Sequence, residues 1–423
     1  MPIQITQAQK EHLLIIKQRA YSLLADNELP FWANNAWDNE YGGFLTRLNQ
    51  EGKRLEDTKK VLMMQVRMIF SLSAAHRFGL QDRGYLDLAK QGFEFLIRHF
   101  WDKNDGGFYF SVDRLGNPLN VRKNTDFHAY AIIGLVEYFH ASGCQESLEW
   151  AIRVYDLLIN EALDHDKGFR EDFDNHCWPV LNADQMSLGD QTDIKTVDMH
   201  TNMLEAMLYL STATGFNNHR QTLEYLVQLI CSRGIDAVNH CSITAFDQGW
   251  NPVTDGRGLS STSYGLNVEL AWLLLKAVRL LEKNEADYHH IITGLVDHAL
   301  AFGYDHDHGG LYSHGPMNGS VWEVSELFGP LQKPWWSQAE LLNALGDLYI
   351  WIGHPEYLLK LIEEFNWISK YQVDHVYGSW YQDINGVTFK PVTLDKGGEW
   401  KTAFHTSRAL IKLIKNLELI TEK

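Results

Sequence analysis

The stretch WDKNDGGFYF, from Trp101 to Phe110, is one copy of a turn that recurs along the whole chain. WDNEYGGF runs from Trp37 to Phe44, HDKGFREDF from His165 to Phe173 and FDQGW from Phe246 to Trp250. YDHDHGGLYS runs from Tyr304 to Ser313 and DHVYGSWYQD from Asp374 to Asp383. Each copy has an Asp that closes a turn, then Gly that permits positive φ, then an aromatic residue or Leu. The tails alternate like short hairpin strands. Taken at Asp38, Asp102, Asp166, Asp247, Asp305 and Asp374, the copies are 64, 64, 81, 58 and 69 residues apart.

A period of that size holds two helices and their connections. The segments between the turns have helical apolar spacing, as in KKVLMMQVRMIFSLSAAHRFG from Lys59 and TVDMHTNMLEAMLYLSTATG from Thr196. GLNVELAWLLLKAVRLLEK from Gly265 is a third, with capping residues SSTS just before it. Six helix pairs in series close into a double ring that needs no capping repeat. The expected fold is therefore all-α, an (α/α)6 barrel with short β-hairpin loops, formed by residues 1–423 as one domain. The funnel bounded by the inner helices is the expected ligand site.

Composition narrows the partners. The formal net charge is −17 and no basic run occurs, so nucleic acid and anionic membrane are excluded as partners. No apolar run reaches 18 residues, and the N-terminal segment has no signal-peptide core, so no membrane span is expected and the cytoplasm is the default. Cys144, Cys177, Cys231 and Cys241 form no CxxC pair and read as thiols in a reducing compartment. Aromatic residues make up 12% of the chain, which suits stacking on sugar rings and also suits a large helical core.

Several segments resemble the N-acylglucosamine 2-epimerase superfamily, which contains 2-epimerases and aldose–ketose isomerases. LPFWANNAWDNEYGGFLTRLNQEGKRLEDTKKVLMMQVRMIFSLSAAHR resembles its opening repeat, and the resemblance puts Arg67 in the active site. KPWWSQAELLNAL resembles its K-x-W-W-x-Q-A-E segment and implies functional places for Trp336 and Glu340. GGEWKTAFHTSRAL resembles its C-terminal G-G-x-W-K-x-x-x-H-x-x-R segment and makes His405 the catalytic histidine. Two further matches depart from the pattern. KTVDMHTNMLEA keeps His200 and Glu205 but has Asn202 where the family has an active-site His. SYGLNVELAWLLL keeps Glu269 and Trp272 but has Leu266 where the family has its other catalytic His.

Inverting C2 needs an acid/base group on each face of an enediolate, and Leu266 carries no proton. One base is enough to move a proton from C2 to C1 on a single face, and His405 suits that task. The leading expectation is therefore an aldose–ketose isomerase interconverting D-mannose and D-fructose, and also D-lyxose and D-xylulose. Arg67 would hold the enediolate oxygens. Glu269 and Glu340 would bind hydroxyls or orient His405. Trp336, Trp272 and Asn202 would bind the sugar, and His200 would assist ring opening or proton relay. His128 and Tyr130 in TDFHAYA read first as core residues. No metal or cofactor is expected, since Arg67 supplies the charge; Asp305, His306, Asp307 and His308 belong to a repeat turn. The partner is a small monosaccharide, and monomer and homo-oligomer stay open. The alternatives are a sugar 2-epimerase of mannose/glucose or cellobiose type, an inactive sugar-binding member, and a glycoside hydrolase, for which no carboxylate pair stands out.

Overall fold

The computed structural model describes residues 5–174, 194–254, 260–319 and 331–422. Two kinds of helix alternate. The first kind buries most of its side chains on every side: α3 (Leu62–Phe78), α5 (Thr125–Ser142), α7 (Val197–Thr214), α9 (Tyr264–Leu280), α11 (Trp335–Ile352) and α13 (Phe404–Thr421). The second kind buries only an i, i+3/i+4 stripe: α4 (Tyr85–His99), α6 (Gln145–Glu161), α8 (Asn217–Leu229), α10 (Glu285–His298) and α12 (Pro355–Trp367). On α4, for example, Tyr85, Ala89, Gly92, Phe93 and Leu96 are inside and the rest meet solvent or loops. The first kind thus forms an inner ring and the second an outer ring. Around the inner ring α3 packs on α5, α5 on α7, α7 on α9, α9 on α11, α11 on α13, and α13 back on α3. α1 (Gln7–Ser22) is the outer partner of α13, so the two chain ends close the ring; the short α2 (Leu29–Asn35) follows it. The (α/α)6 barrel is the observed fold.

Short antiparallel strand pairs line one end of the ring and tie each repeat to the next. The strand before an inner helix pairs with a strand from the following repeat: Lys60–Val61 with Ser111–Val112, Lys123–Asn124 with Asp172–Phe173, and Ile194–Thr196 with Ala245–Asp247. Ser261–Ser263 with His314–Pro316, and Gln332–Pro334 with Asp383–Asn385, continue the pattern.

The repeated turn is present six times, but two copies lie elsewhere than the sequence reading put them. The turn Asp residues are Asp38, Asp102, Asp164, Asp236, Asp305 and Asp374, each accepting turn N–H groups or closing a backbone turn. The third copy begins at Asp164 rather than Asp166, because Asp164 N–H bonds the Gly168 carbonyl. The fourth is the Ile235–Ser242 hairpin, and FDQGW instead ends the strand that pairs with Ile194–Thr196 and makes the turn after it. The corrected steps of 64, 62, 72, 69 and 69 residues are more even. Five of these Asp meet a fully buried Lys: Asp38–Lys60 at 3.3 Å, Asp102–Lys123 at 3.0 Å, Asp164–Lys195 at 2.9 Å, Asp305–Lys333 at 2.7 Å and Asp374–Lys396 at 2.9 Å. Asp305 is therefore part of a structural ion pair. Among the described residues no helix is long and apolar enough to cross a membrane. Cys144, Cys231 and Cys241 are free thiols, and Cys177 lies outside the described residues.

Candidate active site

Five of the six inner helices start in a common register. Aligned on the residues that precede them, they read KVLMMQVR, KNTDFHAY, KTVDMHTN, TSYGLNVE and KPWWSQAE from Lys60, Lys123, Lys195, Thr262 and Lys333. The sixth residue of each block staples the repeat turn. Gln65 accepts from Phe44 N–H at 2.8 Å, Gln338 from Leu311 N–H at 2.7 Å and Asn267 from Ser242 N–H at 2.8 Å. His128 Nε2 accepts from Phe108 N–H at 2.8 Å, and His200 Nε2 accepts from Phe169 N–H at 3.0 Å. The Nδ1–H groups of these two histidines donate to the Asn124 and Thr196 carbonyls. His200 is thus a staple with both ring nitrogens committed to backbone, and it does not line the cavity described next; the role in ring opening or proton relay expected of it is withdrawn.

The last residue of each block points to the ring axis: Arg67, Tyr130, Asn202, Glu269 and Glu340. These are one helical turn beyond Met63, Asp126, Asp198, Gly265 and Trp336, on the same helix face. A cavity of about 170 Å³ lies there, lined by Arg67, Asp126, Tyr130, Asp198, Asn202, Glu269, Trp335, Trp336, Trp400 and His405. Larger cavities, about 480 and 340 Å³, open at the other end of the ring; the smaller one holds His405 together with Arg67 and Glu269.

His405 is fixed by Glu340. Its Nδ1–H donates to Glu340 Oε1 at 2.7 Å, which leaves Nε2 as the basic nitrogen, with no hydrogen bond to any described residue. Burial, with Arg67 adding to it, outweighs Glu340 and pushes the imidazole down to about 3, so it stays neutral at physiological pH. Glu340 is itself held by Trp272 Nε1–H at 2.9 Å, Asn343 Nδ2 at 2.9 Å and Arg408 Nη2 at 2.6 Å. Burial works against its charge, but Arg408 and His405 outweigh burial and keep Glu340 ionised. Arg408 also donates to Glu269 at 2.8 Å and to Glu205. Burial and the Glu340 charge push Glu269 well above the carboxylate range, against the Arg408 guanidinium that it accepts from. Glu269, Glu340 and His405 come close enough to hold a metal ion, but the Arg408 guanidinium already fills the position between the two carboxyls.

Opposite these groups Arg67 lies over the Tyr130 ring, 4.1 Å from its centroid, and donates to the Trp400 carbonyl at 2.6 Å. Its Nε is buried without a hydrogen-bond partner. Tyr130 OH donates to Asn202 Oδ1 at 3.1 Å, and Asn202 Nδ2 donates to Asp126 at 2.8 Å and reaches Asp198 at 3.4 Å. Trp336 stands 6.1 Å from the His405 ring, centroid to centroid. Trp272 does not face the cavity: it backs Glu340 from the far side, with Lys412 over its ring at 3.6 Å. The sugar-stacking role expected of Trp272 is therefore replaced by a supporting one. The sequence reading missed Asp126, Asp198, Trp335 and Trp400 and took Tyr130 for core; the aligned blocks above would have exposed Asp126, Asp198 and Tyr130.

A family model described as N-acylglucosamine 2-epimerase (GlcNAc 2-epimerase) matches residues 42–409. The chain belongs to the N-acylglucosamine 2-epimerase family. It is an enzyme of the isomerase class. It is similar to a cellobiose 2-epimerase of Bacteroides fragilis, 28% identical over 406 residues that cover 95% of this chain and 99% of the relative. Its fold matches the solved cellobiose 2-epimerase of Bacillus thermoamylovorans, with a TM-score of 0.86, 22% identity, and 95% and 99% of the two chains covered. A solved D-mannose isomerase shares the fold at a TM-score of 0.80 and 18% identity, covering 98% and 99% of the two chains. The relatives named for epimerisation are the more similar, which favours the 2-epimerase alternative over the mannose–fructose reading.

Proposed function

We propose that this chain is a sugar 2-epimerase acting on the reducing-end aldose of a small sugar, cellobiose first among the candidates, in the cytoplasm. The observation that carries the reading is the neutral Nε2 of His405, fixed through Nδ1 by a permanently charged Glu340, in one small cavity with Arg67. With the aldose ring open, Nε2 takes the C2 proton. The C–H electron pair becomes the C1–C2 π bond, and charge moves onto O1. Arg67, which lines the same cavity, is placed to hold that oxygen with its charge. Glu269, which lines the cavity on the same side, is placed to hydrogen-bond a sugar hydroxyl. Trp336 supplies an aromatic wall for the sugar.

One observation favours a second reading, the aldose–ketose isomerase of D-mannose or D-lyxose. Leu266 stands where the family resemblance places the other histidine, and among the described residues the cavity has a single imidazole. A proton NMR time course in deuterated water, with cellobiose, D-mannose, D-glucose and D-lyxose as separate substrates, decides between them. The 2-epimerase reading expects an epimer deuterated at C2. Ketose without epimer would install the second reading instead. No exchange at C2 of any aldose would sink both. A folded His405→Ala variant should lose at least about 100-fold in rate.

A further inference from the structure

The 2-epimerase reading leaves one place empty, an acid/base group on the enediolate face that His405 does not serve. Among the described residues, six titratable side chains line the cavity: Arg67, Asp126, Tyr130, Asp198, Glu269 and His405. Arg67 does not give up its proton in a protein. Tyr130 uses its hydroxyl hydrogen on Asn202, and burial drives the phenol further from ionisation. Glu269 lies on the His405 side, with Oε1 4.0 Å from Nδ1 and bonded to Arg408, so it cannot reach the opposite face. Asp126 and Asp198 remain.

Their position is the one the chemistry needs. Three steps around the ring in either direction lead from α13 to α7, so the two helices face each other across the axis. His405 is in the first turn of α13 and Asp198 in the first turn of α7, and both line the one cavity. Asp126, in the first turn of the neighbouring α5, flanks the same Asn202 amide as Asp198. Asp198 is open to the cavity, although protein crowds it on every side; Asp126 is buried. The buried Arg67 lines the same cavity and brings to it the positive charge that an enediolate oxygen needs.

We propose that the Asp126–Asp198 carboxyl pair is this enzyme's second acid/base, taking the part that a histidine plays at the Leu266 position of its relatives; the proposal rests on the 2-epimerase reading. The pair shares one proton. When His405 Nε2 has removed the C2 proton on its face, Asp198 delivers the shared proton to C2 from the other face. The C1–C2 π electrons form the new C–H bond, and the O1 charge returns to the carbonyl. The epimer leaves with His405 protonated and the pair doubly ionised, and exchange with water resets both. In the reverse direction the ionised Asp198 is the base and the imidazolium the acid. Burial and the Asp198 charge push Asp126 up to about 7, and enclosure raises Asp198 too, as sharing one proton requires.

The test follows cellobiose and its C2 epimer separately in deuterated water with the full-length enzyme. Wild type should interconvert them with deuterium at C2. Asp198→Asn should lose at least about 100-fold in epimerisation yet keep C2 exchange within about tenfold for the one epimer whose C2 hydrogen faces His405. His405→Asn should show the mirror split, exchanging only the other epimer. Asp126→Asn, which leaves Asp198 in place but without a carboxyl to share its proton, should show the Asp198→Asn pattern more weakly and serves if Asp198→Asn fails to fold. A folded Asp198→Asn enzyme that epimerises within about threefold of wild type, or loses exchange of both epimers together with epimerisation, overturns the proposal. Ketose formation without epimer by wild type overturns it as well. Failure of wild type to exchange any C2 hydrogen refutes instead the reading on which it rests.

Discussion

Replacing His200 by glutamine separates a structural histidine from a chemical one. Gln65 and Gln338 occupy the same position of their repeats, accepting the turn N–H and donating to the carbonyl four residues back, at 3.5 Å to Val61 and 2.9 Å to Pro334. His200 makes the same two bonds, to Phe169 N–H and the Thr196 carbonyl, so Gln can replace both. What Gln loses is the ring contact with Trp250, at 5.0 Å between centroids, and that costs about 1 kcal/mol. What it removes is a buried group that burial pushes down to about 4. The folded value lies below the unfolded one of about 6.5, so unfolding takes up a proton in acid. The stability cost is absent above the unfolded value, grows as pH falls from about 6.5, and is complete near 4. At pH 5 it amounts to about 2 kcal/mol. The His200→Gln variant should be about 1 kcal/mol less stable than wild type at pH 7.5 and about 1 kcal/mol more stable at pH 5, with the curves crossing near pH 6. Urea denaturation at a series of pH values reads this directly. Rates at pH 7.5 should stay within about twofold of wild type. A well-folded variant with a 100-fold lower rate and no gain in acid stability would show that His200 does chemistry and that the staple argument is wrong.

Three further outcomes are expected. Arg67→Gln should lower kcat by about 100- to 1,000-fold in the NMR assay, because the substituted amide brings no charge to the developing enediolate. Gly265→Ala puts a Cβ 2.3 Å from Ser337 Oγ and 2.7 Å from Trp336, so it displaces that wall of the cavity and should raise KM about tenfold with a smaller change in kcat. Lys333→Met leaves Asp305 buried without its cation and should cost about 3–5 kcal/mol in urea denaturation, part of which Asp305→Asn in the same chain should restore.

The ring of helix pairs was legible because two periodicities coincide in the sequence. The recurrent Asp–Gly–aromatic turn spaces the repeats, and the inner helices bury residues on every side where the outer ones bury a stripe. Two turns were misplaced for a local reason. DHDKG offers two Asp at nearly the same offset from Gly, and FDQGW imitates the turn at the end of a strand. The buried Lys partner would have settled the first choice, since Asp164, and not Asp166, meets Lys195. His405, Arg67, Glu340, Trp336, Asn202 and Glu269 were legible through the family resemblance, and the structure brings them together around one cavity. His200 and Trp272 were carried along by the same resemblance, because sequence spacing does not tell which side of a fully buried helix faces the axis. Asp126 and Asp198 were overlooked because they match no motif, and each becomes visible only when its inner helix is aligned with the others on the preceding Lys.

That alignment also bears on the two departures from the family pattern. The stapling column varies among Gln, His and Asn because any side chain that accepts an N–H and donates to a carbonyl can serve there. The axial columns vary in charge, and there a change in one residue alters the proton affinity of the others. An imidazole at position 202 would sit between two carboxyls, take a proton and form an ion pair with them, leaving both Asp126 and Asp198 ionised. The Asn202 amide donates to the same oxygens without binding a proton. The proton therefore stays on the carboxyl pair, where burial and the Asp198 charge raise Asp126 to about 7. On this argument Asn202 and Leu266 are a single change: the loss of the histidine on α9 is tolerable only where the residue on α7 lets a neighbouring carboxyl hold a proton at neutral pH.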